Sequence, residues 1–275
     1  MSVSDAPLDP SAGVMRRIAA LVLRHVYLLR SSWPRAFELM YWPTIQMILW
    51  GFMTEFLATN SSYIAQATGV LVSAVLLWDV LFRGQLGFSL SFMEEIWSRN
   101  LTNIAVSPLR PSEFLLALMS MSLIRTLIAI LPATGLAIVF YQVSIYELGL
   151  PLIAFFANLL VMGWAIGMMV CALILRVGLG AESVAWLAIF VLAPVSAIYY
   201  PVSILPVWLQ AVAWSLPTAP VFEGMRAILL DGVVRWDLLL HAAALDLVYL
   251  GLGGALFLLS YRTARRRGLI LQIGE

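Results

Sequence analysis

Four ionisable residues stand in stretches otherwise apolar enough to cross a bilayer: Asp79, Arg83, Arg125 and Asp246. A charge in the hydrocarbon region costs from ~2.5 to above 10 kcal/mol, so each needs a partner, a wet cavity or a function. Asp79 and Arg83 lie one helical turn apart and can pair along one helix. Arg83 is also near the inner end of its stretch and can snorkel. Arg125 and Asp246 have opposite signs at similar depths. That predicts an Arg125–Asp246 pair, within or between subunits, with Asp79 as the rival partner. A second cluster runs Glu94-Glu95-Ile96-Trp97-Ser98-Arg99-Asn100-Leu101. Ile96, Trp97 and Leu101 would form an apolar anchor, and Glu94, Glu95 and Arg99 a charged rim. Such a helix docks on protein or rests on lipid. Two carboxylates beside an anionic leaflet favour protein.

Chemistry of other kinds finds no support in the residue types. His25 and His241 are far apart and lack a metal-ligand motif. The single cysteine, Cys171, lies in an apolar run and reads as a packing residue. All 16 basic residues are arginine. Without lysine there is no Walker A loop for phosphates and no amine for a Schiff base. The net charge of +1 argues against a nucleic-acid partner. The expectation is a chain with no catalytic residue, no metal and no cofactor of its own.

The elements that carry these residues follow from hydropathy. Of 275 residues, 62% are hydrophobic and 11% charged, and the mean hydropathy is +0.95. A soluble globule of this size could not hide so much apolar surface, whereas a bilayer can. The fold class expected is an all-α membrane protein with six transmembrane helices, over about residues 37–57, 64–88, 113–141, 150–175, 182–200 and 238–261. Residues 15–32 hold Arg16, Arg17, Arg24 and Arg30 in an apolar background and read as an amphipathic helix in the interface. Residues 201–237 are apolar but cut by Pro201, Pro206, Pro217 and Pro220 into short re-entrant helices between spans five and six. Domain limits are a polar tail at 1–14, the membrane domain at 15–262 and a basic tail at 263–275. Most arginines fall in one set of loops, and only Arg226 and Arg235 in the other, which puts both termini in the cytoplasm. Gly163 and Gly167, and Gly251, Gly253 and Gly254, are candidate close-approach points between helices.

At its two long connections the sequence resembles the membrane subunits of ABC-2 type exporters. The first match is residues 94–101 as quoted, continuing through Ser107-Pro108-Leu109-Arg110-Pro111 and Glu113-Phe114. The second is Leu205-Pro206-x-Trp208-Leu209-Gln210, the stretch 217–220, Glu223-Gly224-x-Arg226 and Asp231-Gly232. Pro217-Thr218-Ala219-Pro220 departs from the family, which often has an Asn-Pro pair there. The resemblance covers the chain from about residue 15 onward.

The resemblance implies a permease subunit of an ATP-driven exporter of drug-like, lipid or lipid-linked glycan molecules. Two permease subunits, as a homodimer, would engage two copies of a nucleotide-binding subunit, which holds the ATP and Mg²⁺. It implies that residues 94–101 form the ATPase-coupling helix. The short loop 176–183 reads either as a second, smaller contact through Glu182 or as a plain tight turn between helices. It also implies a bacterial inner membrane. The competing reading is an ion-gradient-driven carrier or channel, which would use Asp79 and Asp246 and usually shows an inverted repeat. No repeat is visible in the sequence.

Overall fold

The computed structural model describes residues 10–60, 62–141 and 145–272. Most of the polar tail at 1–14, and the last three residues of the basic tail, lie outside that range. Among the described residues every regular element is a helix, with no strand. Helix α1 (Pro10–Arg30) is joined by a two-residue turn to α2 (Trp33–Asn60). Leu21, His25 and Leu29, spaced four apart, form the buried stripe of α1. It packs chiefly on α5 and α2.

Helix α3 (Ser62–Trp97) is the longest, with 36 residues. At ~1.5 Å per residue it extends about 54 Å, well beyond a ~30 Å hydrocarbon core. The expected end near residue 88 is not observed. Residues 89–97 hold no proline or glycine, so nothing breaks the hydrogen-bond ladder, and the amphipathic stretch prolongs the span as a rigid extension. The helix ends at Trp97, and in the turn just beyond it Arg99 has a left-handed φ of 53°. The Asn100 amide donates to the Glu95 carbonyl at 2.9 Å and the Arg99 amide to the Ile96 carbonyl at 2.8 Å. This closes the helix in a position where glycine is usual. The six-residue α4 (Leu101–Val106) follows.

Pro111 opens α5 (Pro111–Tyr141), where its missing amide costs nothing. The Glu113 carboxylate accepts from the Arg110 amide at 3.0 Å, as in a capping box. Helix α6 (Pro151–Val177) starts the same way and ends at Gly178. It is buried against both α3 and α10 (Trp236–Arg266). A Cβ on Gly163 would lie 2.8 Å from the Leu81 carbonyl oxygen, and one on Gly253 2.7 Å from that of Ala165. These glycines let the backbones of α3, α6 and α10 approach. Gly251 and Gly254 face open space and have no such role.

Four helical stretches are long and apolar enough to cross a membrane: Gly69–Trp97, Pro111–Phe140, Pro151–Val177 and Trp236–Arg266. They match the second, third, fourth and sixth expected spans. The first appears as α2, 28 residues long but less apolar, since it carries Arg35 and Glu38. The fifth is shorter than expected. Helix α7 (Glu182–Leu192) and the 3₁₀ turn Ala193–Val195, which contains Pro194, end at Val195, 14 residues in all. That is about 21 Å of helix. The apolar connection then forms α8 (Val207–Trp214) and α9 (Thr218–Asp231), as its prolines dictate. Helix α9 is buried from Thr218 to Phe222 and at Gly224, Met225 and Arg226. Helix α10 runs on to Arg266, so the basic tail begins inside the helix; α11 (Leu269–Gln272) follows.

Candidate functional site

Two places gather the charged residues of the membrane domain. The first is the arginine-rich end, where α1, the extension of α3, α4 and the start of α5 meet. Glu95 is fully buried there. Its carboxylate accepts from Asn100 Nδ2 at 2.7 Å, forms a close ion pair with Arg24, and lies 3.1 Å from His25 Nε2. Burial alone would lower the His25 pKa. The Glu95 carboxylate and the Leu21 carbonyl, 2.9 Å from Nδ1, outweigh it, and the net shift is upward. Glu113 takes a two-pronged ion pair from Arg17, Nε to Oε2 at 2.9 Å and Nη2 to Oε1 at 2.6 Å. That bond raises the Arg17 pKa. The arginine face of α1 is thus stapled to α3 and α5 by carboxylates.

This corrects the surface expected at residues 94–101. Glu94, Glu95, Ile96 and Leu101 do not form an outward rim and anchor. Glu95, Ile96 and Leu101 are buried, and Glu94 is nearly so. The physical reason is that α3 continues to Trp97, so every third or fourth residue of the stretch turns back toward α1 and α5. The exposed residues are Trp97, at 47% exposure, Ser98, Arg99 and, on α4 and beyond, Asn103, Val106 at 79%, Ser107 and Pro108. Asn100 is half-buried and joins the tip to Glu95. Glu182 is half-buried in the first turn of α7, where a carboxylate suits the helix N-terminus.

The second place is a partly enclosed cavity of about 450 Å³ between α2, α3, α5 and α7. Arg35, Glu38, Arg83, Glu94 and Arg125 line it, among aromatic and aliphatic side chains. Two of the four membrane charges, Arg83 and Arg125, face it. The expected Arg125–Asp246 pair does not form within the chain. Arg125 Nη2 donates instead to Glu94 Oε2 at 2.7 Å, and Arg35 Nη1 lies 3.8 Å from Glu94 Oε1. Glu94 competes successfully because the α3 extension packs beside α5, whereas α10 packs mainly on α6. Asp246 is buried on α10 and both its carboxylate oxygens lack a hydrogen-bond partner among the described residues. Asp79 and Arg83 are also buried and form no ion pair with each other among the described residues.

A third arrangement is not legible in the sequence. After Pro194 the backbone turns irregularly through Ser196, Ala197 and Ile198, all buried. Polar backbone groups there need partners. Glu223 Oε1 accepts from the Val202 amide at 2.7 Å, and Arg226 Nη1 donates to the Ile198 carbonyl at 3.3 Å. The two side chains also pair, Nη2 to Oε1 at 3.2 Å. Their i, i+3 spacing was a usable signal for a helix-borne pair, but its backbone targets were not. Likewise, His25, Arg17 and Arg24 read only as an amphipathic face; their carboxylate partners lie 70 to 96 residues away.

A helical bundle with four plainly apolar spans, polar backbone repaired by buried side chains, and a charged end stapled to an amphipathic helix defines a polytopic α-helical membrane protein. Residues 21–230 match the family model of the ABC-2 type transporter, more than half of the chain. The chain therefore belongs to the ABC-2 type transporter family and is a membrane-spanning permease of an ABC transporter. No curated protein matches it.

Proposed function

We propose that this chain is the non-catalytic, path-forming subunit of an ATP-driven exporter of amphiphilic molecules. Two copies pair, and two separate ATPase subunits bind ATP and Mg²⁺ and engage the arginine-rich end. The positive-inside rule favours a cytoplasmic side for that end and for both termini, and the family suggests a bacterial inner membrane. The absence of any lysine supports hydrolysis on another chain, because the nucleotide loop of such ATPases requires one.

The observation that carries the reading is the tip at residues 97–107. Trp97, at the end of the α3 extension, and Val106, on the short α4 that follows it, stay exposed. An aromatic and an aliphatic anchor beside Arg99 suit a pocket on a protein partner. Their rigid connection to the bundle suits the transmission of force. Burial of Glu94 and Glu95 moves the coupling role from those carboxylates to Trp97, Arg99, Asn103 and Val106. Glu182 serves as a secondary contact.

The test is co-purification and ATPase turnover with the ATPase subunit encoded by the same genome. Wild type should bring the ATPase down and show substrate-stimulated turnover. Trp97→Ala and Val106→Glu should each weaken the complex about tenfold or more, as loss of an interface anchor does. A lone chain that binds no ATPase and moves solute down an ion gradient would overturn the reading.

A further inference from the structure

The cavity between α2, α3, α5 and α7 holds buried arginine donors without partners. Arg83 is 8% exposed and Arg125 5%. Arg83 Nε and Nη2, and Arg125 Nε, find no hydrogen bond among the described residues. Buried donors left unmade are expensive, and more so when charged. Arg125 spends one edge on Glu94, and Glu94 is also approached by Arg35. Asp79, one turn before Arg83, lends opposite charge but does not line the cavity. The lining carries three arginines, Arg35, Arg83 and Arg125, against two glutamates, Glu38 and Glu94. Phe82 and Phe190, 6.0 Å apart edge to face, give it an apolar wall. Trp42 and Trp186 extend that wall.

We propose that this cavity binds the anionic headgroup of an amphiphile, a phosphate, sulfate or carboxylate carried on an apolar tail. Guanidinium forks match such oxygens in two-pronged geometry, with more energy than in water because the site is largely desolvated. The volume falls within the ~300–1,000 Å³ of ordinary small-molecule sites. Arg83 and Arg125 hold the headgroup, and the aromatic wall takes the first part of the tail. As the site of a transported substrate, the cavity rests on the permease reading; as a binding site it stands alone.

The experiment titrates the purified full chain in nanodiscs with dodecyl phosphate, dodecyltrimethylammonium and inorganic phosphate, read by calorimetry. Dodecyl phosphate should bind at least about tenfold tighter than either of the others, because only it offers both charge and tail. Arg83→Gln and Arg125→Gln should each cost about tenfold, and Arg83→Lys less. Arg235→Gln, in an exposed ion pair with Asp237, should change nothing. Should Arg125→Gln fail to fold, Leu39→Trp fills the cavity without altering its charge and should abolish binding. Equal binding of the cationic and anionic amphiphiles, or unchanged binding in folded Arg83→Gln, would overturn the proposal.

The source of the headgroup is decided with the ATPase complex in vesicles. Dodecyl phosphate carried across the bilayer on adding ATP and Mg²⁺ identifies a substrate; dodecyl phosphate retained through turnover identifies a resident lipid site. Both results support the anionic cavity. A chain that binds dodecyl phosphate but no ATPase sinks the permease reading and leaves the cavity standing.

Discussion

His25 on α1 and Glu95 on α3 meet with Nε2 and Oε1 3.1 Å apart, their side chains 1% and 0% exposed. Sixty-odd residues of intervening chain separate them, yet the contact fixes where the N-terminal helix lies against the bundle. The Glu95 carboxylate also serves Arg24 and Asn100, so α1, α3 and the turn into α4 share one anion.

That shared anion makes docking of α1 depend on pH. The His25 pKa is raised in the folded chain, against the lowering effect of its burial. The stabilisation from protonated His25 is complete below the unfolded value of about 6.5 and is lost as pH rises through the folded value above it. Hydrogen exchange of residues 10–30, corrected for intrinsic rates, should therefore show weaker protection at pH 8.5 than at pH 6. His25→Asn should flatten that difference. Glu95→Ala should cost about 2–3 kcal/mol, below the range for a fully buried pair because Arg24 is partly exposed. Protection of α1 that is unchanged by pH and by both variants would show that the pair does not hold the helix.

Arg99 occupies a left-handed backbone position, with φ of 53°, at the end of α3. A side chain there costs about 1 kcal/mol relative to glycine. Arg99→Gly should raise thermal stability by about that amount and at the same time weaken ATPase association. Gain in one and loss in the other is the signature of a residue kept for contact. A fall in both would contradict it.

Glu223 holds the Val202 amide at 2.7 Å, and its loss orphans a backbone donor in the irregular segment after α7. Glu223→Ala should destabilise by about 1–3 kcal/mol. Its effect should show as faster cysteine labelling at an introduced Ala197→Cys, a position buried in the native chain. Glu223→Gln keeps an acceptor oxygen and should recover most of the protection.

Gly163 and Gly251 separate close packing from mere composition. A Cβ at Gly163 meets backbone at 2.8 Å, and one at Gly251 meets nothing within 4 Å. Gly163→Val should lower stability by about 1–3 kcal/mol or more through overpacking of α3 against α6. Gly251→Ala should lie near neutral. Melting in detergent by tryptophan fluorescence distinguishes them, and equal effects would refute the assigned contact.

Hydropathy by itself determined the solvent of this protein, its helical class and four of its spans. The reason is that a backbone in lipid must satisfy its hydrogen bonds within a helix, so a long apolar run leaves one solution. Proline placement likewise fixed where α5, α6, α8 and α9 begin. The length of α3 is readable too, since residues 89–97 lack a breaker, but the amphipathic pattern there reads equally as a separate element.

Only the tertiary structure decided which charge meets which. Arg125 and Asp246 match in depth and sign, yet depth along a helix says nothing of which neighbour that helix packs against. Arg125 pairs with Glu94 because α5 lies on α3, and Asp246 does not reach Arg125 because α10 lies mainly on α6. The same rule turned Glu94 and Glu95 from a surface rim into inner anchors. Helical rotation, set by packing, chooses the face a residue presents. A one-dimensional pattern identified the charges that needed partners, and the arrangement of helices in space supplied some of them and left Arg83 and Arg125 with donors free to meet a ligand.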